Sequence, residues 1–316
     1  VLSNTGTAAC LMPVALGICA AAKIPASRQL MPLAFACGWG GVITMVGTPP
    51  NIIATGALKA AGLPTFSFFE FAWIGIPLSL AGMLYMMFIG KYLLPKVELS
   101  ADQEIAQEIE AKTTSTSKQM ISGLILLLVV VTMAIGIPGI TLEMAAVIGA
   151  IVCVLTGCLT EKQAYGSIDW VTIFLFAGMM PIATSMDKTG AGALIADWTV
   201  GLMGGTPSPM VVTAVLFLLS CTLTQFMSNT AASALLCPIG LAIAKQLGAD
   251  PKAVVMAIAV AASCAFATPV GTPPNTLVLG PGNYKFMDYV KAGVPLVIVS
   301  FIVSIIIIPM VWPFFP

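Results

Sequence analysis

Two polar stretches occur twice in this chain. Ser3-Asn4-Thr5 returns as Ser228-Asn229-Thr230, and Gly47-Thr48-Pro49-Pro50-Asn51 returns as Gly271-Thr272-Pro273-Pro274-Asn275. Hydroxyls, carboxamides and backbone freed by proline are the chemistry on offer, and this is the chemistry of binding. Neutral oxygens suit a small hard cation such as sodium, and the amino-terminal ends of broken helices suit an anion. Neither Lys, Arg, His, Asp nor Glu lies in or beside the four motifs, so a bound anion needs its charge balanced another way. Sodium ions bound alongside it would do so. Catalysis fits poorly: the chain has no His, and Asp169, Asp187, Asp197, Asp250 and Asp288 all map to the ends of apolar runs, which leaves no acid pair or activated serine. The expectation is a protein that is not an enzyme and that binds no nucleic acid.

What must position these motifs is a membrane-embedded helical frame. With 59% hydrophobic and 8% charged residues and a mean hydropathy of +1.02, the chain lies outside the range of soluble domains. Charge-free runs at 71–90, 119–142, 206–244 and 292–316 are each long enough to cross a hydrocarbon core of ~30 Å as a helix of about 20 residues. The eight cysteines sit in apolar runs without CxxC spacing, which reads as packing thiols rather than disulfides or a metal site. The chain opens on Val1 inside a motif, and the expectation is that an amino-terminal part is missing.

The repeat is regular. From serine to glycine the spacing is 44 residues in the first copy and 43 in the second, and a proline follows ten residues after each serine, at Pro13 and Pro238. The run 29–62 would measure ~51 Å as one helix, too long for a straight span. Gly47 with Pro49 and Pro50 must break it, because proline lacks an N–H and forces the preceding residue out of helical geometry. Irregular backbone at membrane depth survives only where it is buried in protein or lines a polar cavity.

Five crossings separate the two copies, at about 29–58, 71–92, 119–138, 141–159 and 168–186, and an odd number makes them inverted. Lys23, Arg28, Lys91, Lys96, Lys112, Lys118, Lys162, Lys285 and Lys291 fall on one face, against Lys59, Lys188, Lys245 and Lys252 on the other. The first face is therefore expected to be cytoplasmic and the carboxy terminus, after a span at about 288–312, extracellular or periplasmic. The polar stretch 97–119 reads as a solvated amphipathic helix on the cytoplasmic side.

Paired SNT and TPPN motifs in inverted repeats resemble the divalent anion/sodium symporter family, the dicarboxylate, citrate and sulfate carriers of the wider ion transporter superfamily. The resemblance covers the whole chain. It implies an all-α integral membrane protein with two re-entrant hairpins and two broken helices. It further implies a homodimer working as an elevator, placed in the plasma membrane, most naturally a bacterial inner membrane. In that arrangement residues 1–95 and 208–316 form the transport domain and 119–186 the scaffold that dimerises. Residues 96–118 and 187–207 are the connecting arms.

By matching motif, a first sodium site would use Ser3, Asn4, Gly47 and Thr48, and a second Thr224, Met227, Asn229 and Gly271. The substrate, a dicarboxylate or tricarboxylate anion, would meet Asn4, Thr5, Asn229, Thr230, Thr272 and Pro273. Two intact TPPN motifs resemble the carboxylate branch more than the sulfate branch. A sodium-independent dicarboxylate or citrate exchanger and a sulfate symporter stay open as alternatives, with an ion channel the remote one.

Overall fold

The computed structural model describes residues 4–95, 116–135, 137, 139–168 and 208–315, with scattered positions between 170 and 201. The expected arms at 96–118 and 187–207, and the span at 168–186, fall wholly or largely outside the described residues. Among those described, all regular structure is helical.

The first copy comprises α1 (Asn4–Ala22), α2 (Leu30–Val42), α3 (Pro49–Ala60) and α4 (Ala72–Tyr85). A π-helical turn, Met86–Gly90, and a last turn, Lys91–Leu93, extend α4. After α5 (Thr116–Ile135), α6 (Leu142–Leu155) and the short α7 (Glu161–Gly166) comes the second copy. It comprises α8 (Pro209–Leu223), α9 (Asn229–Gln246), α10 (Pro251–Ala262), α11 (Pro273–Leu279) and α12 (Phe286–Val311). Four segments, Asn4–Ala22, Ala72–Leu93, Ser117–Ile135 and Phe286–Val311, are long and apolar enough to cross a membrane.

The expected break is present in both copies. Helix α2 has 13 residues and α3 has 12, so at 1.5 Å per residue each half reaches only ~20 Å and neither spans alone. Prolines occupy the first two positions of α3 and of α11, where a missing N–H costs nothing because that group has no intrahelical partner. Thr48 (φ −146°, ψ 143°) and Thr272 (φ −148°, ψ 143°) precede them in the same extended conformation.

Packing exchanges the two copies. Helix α1 packs on α2 and on α11, while α9 packs on α10 and on α3; likewise α2 meets α4 and α11, while α10 meets α12 and α3. Each SNT-bearing helix thus leans on the TPPN-bearing helix of the other copy. Helices α4 and α12 pack against one another at the centre of the exchange. Helices α5 and α6 pair chiefly with each other.

The connections collect at two ends. At one, the Ser27 hydroxyl donates to the Pro95 carbonyl at 2.9 Å and the Tyr284 hydroxyl donates to the Ser27 carbonyl at 2.6 Å. At the other, Lys252 pairs with Glu70 at 3.1 Å, the Trp312 indole donates to Glu70 at 2.8 Å, and Lys59 pairs with Glu143 at 3.3 Å.

The duplication also runs further than the motifs. The stretch Phe66 to Leu78 (FSFFEFAWIGIPL) corresponds to Tyr284 to Leu296 (YKFMDYVKAGVPL). Glu70 accepts from the Ser67 N–H at 2.9 Å and Asp288 from the Lys285 N–H at 2.8 Å. Phe66 meets Phe71 edge-on at 4.9 Å between ring centres, and Tyr284 meets Tyr289 at 5.7 Å. Glycine is required at one register in both: a Cβ on Gly75 would lie 2.7 Å from the Ile43 Cα, and one on Gly293 would overlap the Phe266 carbonyl. Only a residue without Cβ lets α4 and α12 press against the break loops.

Candidate functional site

The two breaks leave helix-terminal carbonyls that must find donors. Asn51 and Asn275, both fully buried, supply them. The Asn51 amide nitrogen donates to Thr44 at 2.9 Å, with the Val42 and Gly41 carbonyls at 3.4 and 3.5 Å. That of Asn275 donates to Ala265 at 2.7 Å and Thr268 at 2.9 Å. The asparagines of the TPPN motifs therefore staple their own break. Tyr289 secures the second staple by donating from its hydroxyl to the Asn275 carbonyl at 2.7 Å.

In the second copy, three of the four expected sodium residues, Thr224, Met227 and Asn229, lie at the turn between α8 and α9, and the fourth, Gly271, lies in the break loop against Thr224. Thr224 ends α8, is fully buried, and donates to the Ala262 carbonyl at 2.7 Å. Asn229 opens α9; with its nitrogen turned toward its neighbours it reaches Thr224 Oγ1 at 2.7 Å, the Gly271 carbonyl at 3.0 Å and the Ala262 carbonyl at 3.1 Å. This orientation follows from the hydrogen-bond network, since the oxygen would otherwise face two carbonyls. Gly271 needs its missing side chain, because a Cβ there would sit 2.8 Å from the Thr224 carbonyl. Met227 is half-buried in the turn, its N–H donating to the Leu223 carbonyl at 3.0 Å. Ser228 is an N-cap and accepts from the Ala231 N–H at 3.1 Å.

In the first copy, Ser3 lies outside the described residues. Asn4 is half-buried with its amide oxygen against Gly41, where a Cβ would collide with it. Gly47 faces the Gly41 carbonyl as closely. Thr48 is 1% exposed, and its hydroxyl, that of Thr44 and the Asn51 amide oxygen have no hydrogen-bond partner. Buried oxygens of this kind are costly unless something satisfies them. Asn275 presents the equivalent unpartnered oxygen in the second copy.

Of the remaining expected residues, Thr5 and Pro273 are exposed, while Thr230 and Thr272 are each 8% exposed. Thr5 lies on α1 and Pro273 on α11, which pack together, with Thr272 just before α11; Thr230 lies on α9, which packs on α3 and α10. Among the described residues no group of three or more His, Cys, Asp or Glu gathers in a metal-binding cluster.

Gln225 escaped the sequence reading. It is 7% exposed, donates to the Cys221 carbonyl at 2.8 Å and the Cys264 carbonyl at 3.0 Å, and accepts from the Ala267 N–H at 2.9 Å. A polar residue so close to SNT in an apolar run was the available signal.

Paired broken helices with buried neutral oxygens at their breaks, among helices long and apolar enough to cross a bilayer, are the architecture of a multi-pass membrane protein. The chain belongs to the citrate transporter family, whose model matches residues 1–236 and 139–314. The resemblance read from SNT and TPPN stands at this level. An uncharacterized transporter of Haemophilus influenzae is 32% identical over 96% of this chain and 68% of its own length. An uncharacterized transporter of Escherichia coli is 48% identical over 52% of this chain, which spans only 27% of that relative. A sodium-dependent dicarboxylate transporter of Staphylococcus saprophyticus is 24% identical over 97% of this chain and 65% of its own length.

Proposed function

We propose that this chain works in a sodium-coupled secondary active transporter of small divalent anions, C4-dicarboxylates or citrate, by an elevator-type alternating-access mechanism. The observation that carries the reading is the pair of oxygen-lined breaks without a charged side chain. Thr224 and the Gly271 and Ala262 carbonyls form one cluster, which the Asn229 oxygen completes when its amide turns over to meet a cation; Asn4, Gly47, Thr48 and Thr44 form the other. Neutral oxygens bind sodium weakly enough to release it on each cycle. Two such ions offset the charge of a carboxylate held between the helix starts at Asn4, Thr48, Asn229 and Thr272, within a site of low dielectric. The same ions satisfy the buried oxygens of Thr44, Thr48 and Asn51. Sodium is here a transported substrate, not a resident cofactor. Thr5, Thr230 and Pro273 would line the anion's side of the site.

The exchanged packing of α1–α4 and α9–α12, with connections sorted to two ends, supports inverted repeats. The pairing of α5 with α6, apart from the main bundle, supports a scaffold at 119–186 that dimerises while 1–95 and 208–316 move. The lysine bias supports a carboxy terminus outside, and the bacterial relatives support placement in an inner membrane. The sodium-dependent dicarboxylate relative favours carboxylate over sulfate and symport over exchange.

Counterflow tests the carrier reading. Proteoliposomes loaded with succinate, malate, citrate or sulfate should transiently accumulate labelled succinate or citrate from outside when loaded with the matching carboxylate, and not with sulfate. Non-saturating flux without counterflow would indicate a channel.

A further inference from the structure

We propose that Gln225 is a positioning residue for the coupling ion at the second break: it touches no ion, and it decides which backbone carbonyls are left to face one. The proposal rests on the sodium reading above. The break between α10 and α11 exposes a run of carbonyls, and most are engaged. Gln225 takes Cys264 at 3.0 Å, Asn275 takes Ala265 and Thr268 at 2.7 and 2.9 Å, and the Thr276 hydroxyl takes Pro269 at 2.7 Å. Those of Ala262 and Gly271 are held only by Thr224 and the Asn229 amide, and turning that amide over presents its oxygen beside theirs and opens both to a cation.

Gln225 holds this selection at both ends of the loop. Its side chain clamps the loop between Cys264 and Ala267, and it ties that clamp to α8 through the Cys221 carbonyl. Its own carbonyl accepts from the Thr268 hydroxyl at 2.6 Å, and the Thr268 oxygen in turn accepts from the Gly271 N–H at 3.1 Å. A hydrogen-bonded path therefore runs from Gln225 through Thr268 to the N–H of Gly271, the residue whose own carbonyl faces Asn229 at 3.0 Å. The side chain is a carboxamide, so it donates to one carbonyl of the loop and accepts from one amide of it; a carboxylate can only accept.

Sodium-induced thermal stabilisation of the purified protein without substrate reads ion binding directly, since a ligand bound only by the folded state raises the melting temperature. Gln225→Leu should raise the sodium concentration for half-maximal stabilisation about tenfold. Gln225→Glu keeps shape and volume. Near pH ~5.5 its carboxyl, buried among carbonyls, is protonated and donates again, and near pH ~8.5 it is ionised and faces them as an acceptor. Its sodium half-saturation should therefore be close to wild type at the lower pH and about tenfold higher at the upper, with wild type unchanged between the two. A residue that only fills space gives no such pH split. Normal half-saturation in Gln225→Leu, or a pH-independent value in Gln225→Glu, overturns the inference; if the leucine variant does not fold, the glutamate pair decides alone. A wild-type protein that sodium does not stabilise overturns the sodium reading and this inference with it.

Discussion

Asn51 donates to the Thr44 carbonyl and Asn275 to the Thr268 carbonyl, each at 2.9 Å and each seven residues upstream. One side chain thus closes the same wound in two breaks whose sequences, Thr44 to Asn51 and Thr268 to Asn275, differ only at Met45 and Pro269. Replacing either asparagine by alanine strands buried carbonyls, which costs about 1–3 kcal/mol. Asn51→Ala and Asn275→Ala should each lower the thermal midpoint of the purified protein, and Asn275→Asp should do so more than Asn275→Ala because a carboxylate would face the Ala265 and Thr268 oxygens. An Asn275→Asp protein as stable as wild type would contradict the staple.

The motif tips at the hairpins should behave differently. Asn229→Ala removes a group that meets Thr224, Ala262 and Gly271, and Asn4→Ala its counterpart. Transport should fall at least about tenfold in both while the protein folds, since a lost contact here is worth about 1–3 kcal/mol. Well-folded mutants with wild-type sodium and substrate affinity would show that these residues are not ligands.

Gly75 and Gly293 predict a steric penalty with an internal control. Alanine in a helix ordinarily gains about 1 kcal/mol over glycine. At Gly40, where a Cβ meets nothing within 4 Å, Gly40→Ala should be neutral or mildly stabilising. Gly75→Ala and Gly293→Ala should instead prevent folding or destabilise severely, because the new carbon strikes backbone. Folding yield and melting temperature across the three variants give the comparison.

Glu70 predicts a pH dependence at the end where Lys252, Trp312 and Phe66 meet. Burial would raise its pKa, but hydrogen bonds from Trp312, the Ser67 N–H and Lys252, with the lysine charge, outweigh this and hold it below the usual carboxylate value. A depressed carboxyl stabilises the fold above its unfolded pKa of about 4.3, and the contribution disappears as pH falls through the folded value. Wild type should therefore lose stability on acidification relative to its own neutral value, and Glu70→Gln should lose less over the same interval. Equal acid sensitivity in the two proteins would remove Glu70 from the explanation.

Much of the site was legible because its chemistry needs uncommon residues. Prolines inside an apolar run announce a break, and the break appears where Gly47 and Gly271 place it. The spans expected at 71–92 and 288–312 are the helices Ala72–Leu93 and Phe286–Val311 within a few residues. The repeat of Phe66–Leu78 in Tyr284–Leu296 passed unseen because apolar and aromatic residues are common in any membrane helix, and only the contacts give them meaning. The roles within the asparagine pairs were equally hidden. Asn51 and Asn275 satisfy their own backbone while Asn229 joins two elements, a distinction of geometry that residue type does not carry. Gln225 was missed for the same reason, since one carboxamide beside SNT reads as part of a turn until its partners across the break are known.

Sodium coupling is tested most directly by uptake of labelled succinate or citrate into proteoliposomes under an inward sodium gradient, compared with an inward proton gradient at fixed substrate ionisation. No His occurs in the chain, and among the described residues Glu143 opens α6 and pairs with Lys59 at 3.3 Å, while Glu70 and Asp288 lie at the starts of α4 and α12. No titratable relay is thus built into the breaks. The sodium gradient should drive accumulation severalfold above equilibrium and the proton gradient should add nothing. Accumulation driven by the proton gradient or by a preloaded counter-anion, with no response to sodium, would contradict the sodium assignment and favour a proton-coupled carrier or an exchanger.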